Sequence, residues 1–188
     1  MRTVNLSLAL IGLLCGLAGQ ASAQTARNAI SVGAGLHPLG SAVPVVQYEY
    51  LLNDRLSIGG KYIGLEYTYD DDSYHETGDG QGAEVVVSYY FRGQGHRGPY
   101  FSAGLGYFDV DWDWKDPGIS GLQSGRGSTK GAEVSASFGW KFPLGRSFYI
   151  DPSITVGNFF GSGKDSTGSR ESELGAYGAV MVKVGMTF

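Results

Sequence analysis

The sequence offers few side chains that could carry out acid–base or nucleophilic chemistry. It contains three histidines, at His37, His75 and His96. His75 lies close to Ser73 and Asp72, the residue types of a catalytic triad. A triad is defined by its geometry, however, and neighbours in sequence do not establish one. No motif of a known hydrolase surrounds these residues, so we predict that the chain is not an enzyme and has no catalytic residues and no cofactor.

An acidic segment could hold a cation. Between Asp70 and Asp79 the carboxylates lie at positions 70, 71, 72, 76 and 79. Oxygen ligands of this kind suit Ca²⁺, but the spacing matches no known calcium loop. A solvated surface segment is therefore the favoured interpretation, with cation binding left open. Asp109, Asp111 and Asp113 alternate with apolar residues, as in a hydrated extension of a strand.

Seven charged residues recur inside stretches that otherwise alternate between apolar and small polar residues. They are Glu49, Lys61, Glu84, Glu133, Lys141, Asp151 and Lys183. Each lies on the face opposite to a row of Val, Ile, Tyr or Phe. Charges of both signs on one wall suit an enclosed interior in which they pair, because an isolated buried charge is strongly unfavourable. The pattern predicts a charge network inside a lumen.

The elements that would position these charges are strands. Two-residue alternation is typical of a strand with two different faces. Eight such segments are predicted, at about Ala29–Leu36, Val43–Leu52, Arg55–Tyr69, Ala83–Arg92, Pro99–Trp114, Gly131–Phe142, Ser147–Phe160 and Leu174–Phe188. Longer loops are predicted at Asp70–Gly82, Lys115–Lys130 and Gly161–Glu173. The alternation changes phase near Tyr62–Ile63 and near Tyr107, which we interpret as β-bulges.

The N-terminus has the pattern of a secretory signal peptide. Arg2 precedes an apolar run from Leu6 to Ala18, and an A-x-A cleavage site ends at Ala23. We predict a signal peptide at 1–23 and one mature domain at 24–188. Removing Arg2 changes the net charge from −4 to −5. With this acidic balance and no basic stripe, nucleic acid is not expected as a partner.

Short turns alternating with long loops, and an even strand count, favour an up-and-down barrel of the outer-membrane type. Aromatic residues gather near the predicted strand ends, as in membrane girdles. One group is Phe91, Phe101, Phe142, Phe148 and Phe188; the other is Tyr67, Tyr69, Trp112, Trp114, Phe159 and Phe160. A soluble barrel with its apolar face inside is the alternative. Charges on the polar face favour the membrane barrel, with apolar side chains outward.

Three segments, YEYLLNDRLSIGGKY, GPYFSAGLGYF and the closing VKVGMTF, resemble those of small outer-membrane barrels of the OmpA/OmpX-like type. The resemblance implies an all-β fold, an eight-stranded antiparallel up-and-down transmembrane β-barrel. It implies a place in the cell outer membrane, in contact with lipid. It also implies that Val184, Met186 and Phe188 form a signal for the barrel-assembly machinery.

The function that this resemblance favours is structural, with surface contacts made through the outer loops and surface ligands unspecified. The alternative is a narrow channel or a transporter of small hydrophobic molecules similar to the OmpW group, motivated by the predicted bulges. A lipid-modifying enzyme that uses His75 is a third hypothesis.

Overall fold

The structure is a computed structural model that describes residues 26–36, 42–71, 74–93, 95–116, 123–165 and 175–188. The predicted signal peptide at 1–23 lies outside these ranges, as do His37, Asp72 and Ser73. None of the described residues belongs to a helix long and apolar enough to cross a membrane.

Eight strands form one closed antiparallel barrel in which each strand pairs with its neighbours in the sequence. The strands are β1 (Asn28–Leu36), β2 (Ala42–Asn53), β3 (Leu56–Asp71), β4 (Tyr74–Tyr90), β5 (Gly98–Asp116), β6 (Gln123–Leu144), β7 (Phe148–Asp165) and β8 (Ala176–Thr187). The predicted fold class, an eight-stranded up-and-down barrel, is confirmed.

The barrel closes by pairing its first and last strands. The β1–β8 ladder runs from Ala29 opposite Thr187 to Leu36 opposite Val180. Beyond the ladder, the Asn28 backbone N–H donates to the Phe188 carbonyl at 3.1 Å, and the Phe188 N–H donates to the Asn28 carbonyl at 2.9 Å. No edge is left between these two strands, since their backbone groups satisfy one another.

Side chains alternate between the lumen and the outer surface. On β4, Glu84, Val86, Ser88 and Tyr90 are buried, whereas Val85, Val87 and Tyr89 are exposed. The same holds on β8, where Lys183 is buried between exposed Val182 and Val184. The exposed residues form an apolar belt around the barrel, as predicted.

The strands on one side of the barrel are longer than predicted. Within the predicted loop 70–82, the described residues 70–71 and 74–82 belong to strands: β3 continues to Asp71 and pairs with β4 in unbroken register, with Glu66 opposite Asp79. Likewise β5 extends to Asp116, β6 begins at Gln123, and β7 extends to Asp165. The prediction failed because these extensions have polar outer faces, so the apolar alternation that identifies a strand is lost.

The predicted bulges are also absent. The ladders on both sides of Tyr62, Ile63 and Tyr107 are continuous. A register shift occurs instead between Leu51 and Asn53. The phase change in the sequence has another cause: Ile63 and Phe108 are apolar residues that point into the lumen and are buried there.

The aromatic girdles lie partly where predicted. Near the short turns, Phe91, Phe142 and Phe148 are exposed on the outer face, and Trp140 stacks on Phe142 with ring centroids 5.3 Å apart. At the other end, exposed Tyr62, Tyr107 and Phe160 share one row of register across β3–β7. The prediction was wrong for four aromatics, which turn inward and line the lumen: Tyr67, Trp112, Trp114 and Phe159.

Candidate functional site in the barrel lumen

An ion pair between strands that are not neighbours crosses the lumen. Lys141 on β6 bonds to Glu49 on β2, and their side chains are 1% and 3% exposed. The Lys141 ammonium also donates to the Tyr90 hydroxyl at 2.9 Å. The second oxygen of Glu49 accepts from Tyr90 at 2.7 Å and from Ser57 at 3.0 Å. Both charges thus have hydrogen-bond partners, as burial requires.

A second ion pair lies beside the first. Lys183 on β8 and Asp151 on β7 are direct register partners, with Nζ and Oδ2 3.1 Å apart. The Tyr100 hydroxyl donates to Asp151 at 2.9 Å, and Lys183 donates to the Gln47 side-chain oxygen at 2.9 Å. The two pairs and their partners are all buried in this half of the lumen. We call this set the lumen floor: Gln47, Glu49, Ser57, Tyr90, Tyr100, Lys141, Asp151 and Lys183.

Aromatic rings complete the floor. The Lys141 ammonium lies 4.9 Å from the ring centre of Tyr149, 5.4 Å from that of Tyr90 and 5.6 Å from that of Tyr100. These are cation–π distances. With its ion pair to Glu49, the Lys141 side chain therefore connects five strands: β2, β4, β5, β7 and its own β6.

His96, in the turn between β4 and β5, seals the bottom of the floor. It is 3% exposed, with Nε2 3.2 Å from the carbonyl oxygen of Arg27 and Nδ1 3.4 Å from the Tyr90 hydroxyl. Burial, with the Lys141 charge adding to it, lowers the pKa of His96 from 6.5 to about 4. The imidazole is accordingly neutral at physiological pH.

Above the floor lie the remaining charges of the predicted network. Lys61 pairs with Glu84, its direct neighbour on β4, and Glu84 also accepts from the Ser135 hydroxyl. Glu133 accepts from the Tyr177 hydroxyl. All three lysines of the predicted set are paired with other carboxylates, so Glu133 is the acidic group left without an ion-pair partner among the described residues.

The outer half of the lumen is a chamber of about 1220 Å³. Its wall is mostly apolar and aromatic: Val43, Ile63, Leu65, Phe108, Val110, Phe159 and Met181, with Tyr67, Tyr74, Trp112 and Trp114 further out. Three carboxylates line it, at Glu76, Asp116 and Glu133. We call this space the outer chamber. The change from charged floor to apolar chamber explains the phase change in the sequence.

Glycines on the inner face make room for the lumen aromatics. Six inward rings each lie over a glycine directly opposite on the next strand, where a Cβ would collide with the ring. The pairs are Tyr67–Gly78, Phe108–Gly82, Trp112–Gly127, Tyr100–Gly139, Tyr177–Gly157 and Tyr149–Gly185. The abundance of glycine therefore reflects packing inside the barrel as well as turns.

The candidate chemical groups of the outer hairpins lie partly within the described residues. His75 pairs with Asp70 in an exposed position, while Asp72 and Ser73 lie outside the described residues. No group of three acidic or histidine side chains able to hold a metal occurs within the described ranges. Asp109 and Asp113 instead pair with Lys130 and Arg126 at 2.6 and 2.7 Å.

The residues predicted as an assembly signal lie at the closing seam. Val184 is exposed on the outer face, whereas Met186, opposite both Ile30 and Phe148, is 1% exposed. Phe188 follows the end of β8 and is half-buried. Whether the assembly machinery reads them stays a prediction.

Sequence reasoning missed five members of the floor and its seal: Gln47, Ser57, Tyr90, Tyr100 and His96. For Tyr90 a signal was present, since it has the same parity on β4 as Glu84 and Ser88. The long-range pairing of Glu49 with Lys141 leaves no such signal, because it depends on how the barrel closes.

No protein-family model matches the sequence, and the search of curated proteins gave no significant match. Solved structures do match. A major outer membrane protein of Thermus thermophilus aligns with a TM-score of 0.61 at 14% identity, over 86% of this chain and 99% of that chain. Ail, the attachment invasion locus protein of Yersinia pestis, aligns with a TM-score of 0.55 at 13% identity, over 88% and 100%.

Acinetobacter baumannii CarO2 aligns with a TM-score of 0.52 at 14% identity, over 85% of this chain and 98% of that chain. At these identities the likeness concerns the fold. The chain has the fold of small eight-stranded outer-membrane barrels.

Proposed function

We propose that the protein is an integral outer-membrane protein without enzymatic activity, whose lumen is closed and whose outer hairpins make surface contacts. One observation carries this proposal: an apolar belt encircles a lumen floor of paired charges. Exposed Val, Leu and Phe side chains are costly in water and favourable in lipid. The enclosed charges are satisfied by one another.

The floor supports a closed lumen. An eight-stranded barrel has an interior about wide enough for its own side chains. Here the Glu49–Lys141 pair crosses that interior, and Tyr90 and Tyr100 pack beside it. An ion crossing this layer would have to displace buried ion pairs that are also hydrogen-bonded to their neighbours. The geometry therefore favours a plug over a general diffusion pore.

The hairpins beyond the apolar belt support a contact surface. Past the row of Tyr62, Tyr107 and Phe160, the outward residues become polar. The next row runs from Gln81 through Asp109 to Lys130. From Ile63 to Asp71, β3 extends about 25 Å at the usual rise of a strand. A paired sheet of this length presents charged side chains well away from the lipid.

Membrane fractionation combined with a heat-modifiability gel tests the location. We expect the native protein in the outer-membrane fraction, running at a different position unboiled than boiled. Recovery in the soluble periplasmic fraction would contradict the proposal. Planar-bilayer recording tests the closed lumen separately, and large steady conductance would contradict it.

A second candidate function is carriage of a small hydrophobic molecule, and the outer chamber favours it. The bulges that first suggested it are absent, and the floor closes the direct route through the lumen. A carried molecule would have to leave sideways, through the wall. Uptake of a radiolabelled hydrophobic compound, compared between wild-type and deletion strains, tests this candidate, and equal uptake would argue against it.

Recognition of the C-terminal strand by the barrel-assembly machinery is the partner interaction that we propose for biogenesis. The seam between β1 and β8 supports it, because closure of the barrel uses the residues of the predicted signal.

A further inference from the structure

We propose that the outer chamber is a binding site for an apolar organic cation, a molecule with an aromatic or alkyl body and one ammonium group, and that Glu133 receives the ammonium. The inference uses the barrel fold but does not depend on transport, since a ligand can be bound without being carried.

The size and wall of the outer chamber suit a small amphipathic molecule. Its 1220 Å³ lies somewhat above the range of about 300–1,000 Å³ usual for small-molecule sites. Ile63, Phe108 and Val110 offer aliphatic and aromatic contacts deep in the chamber. Such walls with few polar groups are typical of ligand sites.

The charge of the wall selects a cation. Among the described residues that line the chamber, each charged side chain is acidic. The predicted network has four carboxylates and three lysines, and each lysine pairs with a carboxylate other than Glu133. A bound anion would meet this excess negative charge, whereas a bound ammonium would neutralise it. Neutral apolar molecules would gain only from the apolar wall.

Glu133 is placed to act as the receiving group. It lines the deep end of the outer chamber, its residue is 3% exposed, and its Oε1 accepts from the Tyr177 hydroxyl. Carboxylates in such an environment form strong charge-assisted bonds, because water competes little. Further out, Trp112 and Trp114 supply ring faces of the kind that attract cations.

Three matched probes test the proposal: 1-naphthylmethylammonium, 1-naphthylmethanol and 1-naphthylacetate share one aromatic body and differ in charge. Binding is measured by equilibrium dialysis against the folded full-length mature protein in phosphatidylcholine nanodiscs, with empty nanodiscs subtracted to remove partitioning into lipid. We expect the cation to bind about tenfold or more tighter than the alcohol, the gain of one well-placed charge contact, and the anion to bind weakest.

Two variants locate the effect. Glu133→Gln should lose most of the preference for the cation and keep binding of the alcohol. The matched control, Asp113→Asn, removes an acidic group on the outer surface and should leave all three affinities unchanged. A heat-modifiability gel verifies that each variant is folded. If Glu133→Gln does not fold, Tyr177→Phe provides the second test. It removes a hydrogen bond that stabilises the charged form of Glu133, so it should weaken binding of the cation and leave binding of the alcohol unchanged.

Equal binding of the three probes would overturn the proposal, as would an undiminished cation preference in Glu133→Gln or an unchanged cation affinity in Tyr177→Phe. None of these outcomes touches the proposed location or the closed lumen, which fractionation and conductance test without any probe.

Discussion

Lys141 holds the lumen floor together, and its replacement by methionine tests this directly. Methionine keeps much of the volume of the side chain but removes the charge that pairs with Glu49. Removing one partner of a buried ion pair typically costs about 3–5 kcal/mol. Glu49 would keep its bonds from Tyr90 and Ser57, which solvate the carboxylate. We therefore expect the lower end of that range, about 3 kcal/mol.

A double-mutant cycle separates the ion pair from general damage to packing. Glu49→Gln alone leaves an amide oxygen that can still accept from Lys141, so its cost should be about 1–2 kcal/mol. With both changes, no unpaired charge remains, and the double variant should be less destabilised than the sum of the single ones. We expect a coupling energy of about 2 kcal/mol between Glu49 and Lys141.

Reversible urea unfolding in lipid vesicles measures these free energies, followed by tryptophan fluorescence and by the folded band on an unboiled gel. The exposed Asp113–Arg126 pair, with side chains 59% and 85% exposed, is the matched control. Asp113→Asn should cost less than about 1 kcal/mol. Additive effects at Glu49 and Lys141, with coupling under about 0.5 kcal/mol, would refute our account of the floor.

Three further predictions follow from the packing, the turn and the seam. Gly139→Ala places a Cβ against the ring of Tyr100, whereas a Cβ at Gly60 meets nothing within 4 Å. In urea unfolding, Gly139→Ala should lower the free energy of unfolding by about 1–3 kcal/mol, and Gly60→Ala should change it little. Equal losses would show that the Tyr100 ring is not packed on Gly139. His96 has a folded pKa of about 4, below its ordinary 6.5, so the unfolded chain binds more protons between these values. Stability should therefore fall as the pH decreases from 6.5 to 4, by up to about 3 kcal/mol, and His96→Gln should flatten this part of the profile; an unchanged slope would argue against the buried neutral imidazole. Deleting Phe188 removes two backbone hydrogen bonds of the seam and should lower the heat-modifiable fraction in cells, whereas normal amounts would count against an assembly signal.

The strand segments that carry the apolar belt could be predicted from the sequence, because there the outer face is apolar and the inner face is polar. On β8, exposed Val182 and Val184 alternate with buried Lys183, and the alternation identifies the strand and its faces. The inward position of the seven charged residues has the same origin. A residue facing lipid must be apolar, so a charge of opposite parity has to be inside.

The hairpin extensions could not be predicted from this pattern, because both of their faces can be polar. Glu66 and Asp79 face each other across two strands in a stretch with the composition of a loop. What holds these strands is the backbone ladder and inward aromatics such as Tyr67, which covers Gly78. Neither feature changes the hydropathy along the chain, so the segment resembled solvated coil.

The outer chamber was hidden for the opposite reason: both faces of the strand are apolar there. At Tyr62 and Ile63 one side chain faces outward and the next faces the lumen, and the sequence alone cannot distinguish this from a bulge.

The inward position of these apolar side chains has a physical consequence. The belt on the outer face supplies the stability of a membrane barrel, so the inner face does not need an apolar core. Ile63 and Phe108 pack against Val43 and Val45 in the barrel wall, but apolar side chains that line an open space lack contact atoms on the side of that space. A molecule of matching shape in the outer chamber would supply the contacts that they lack.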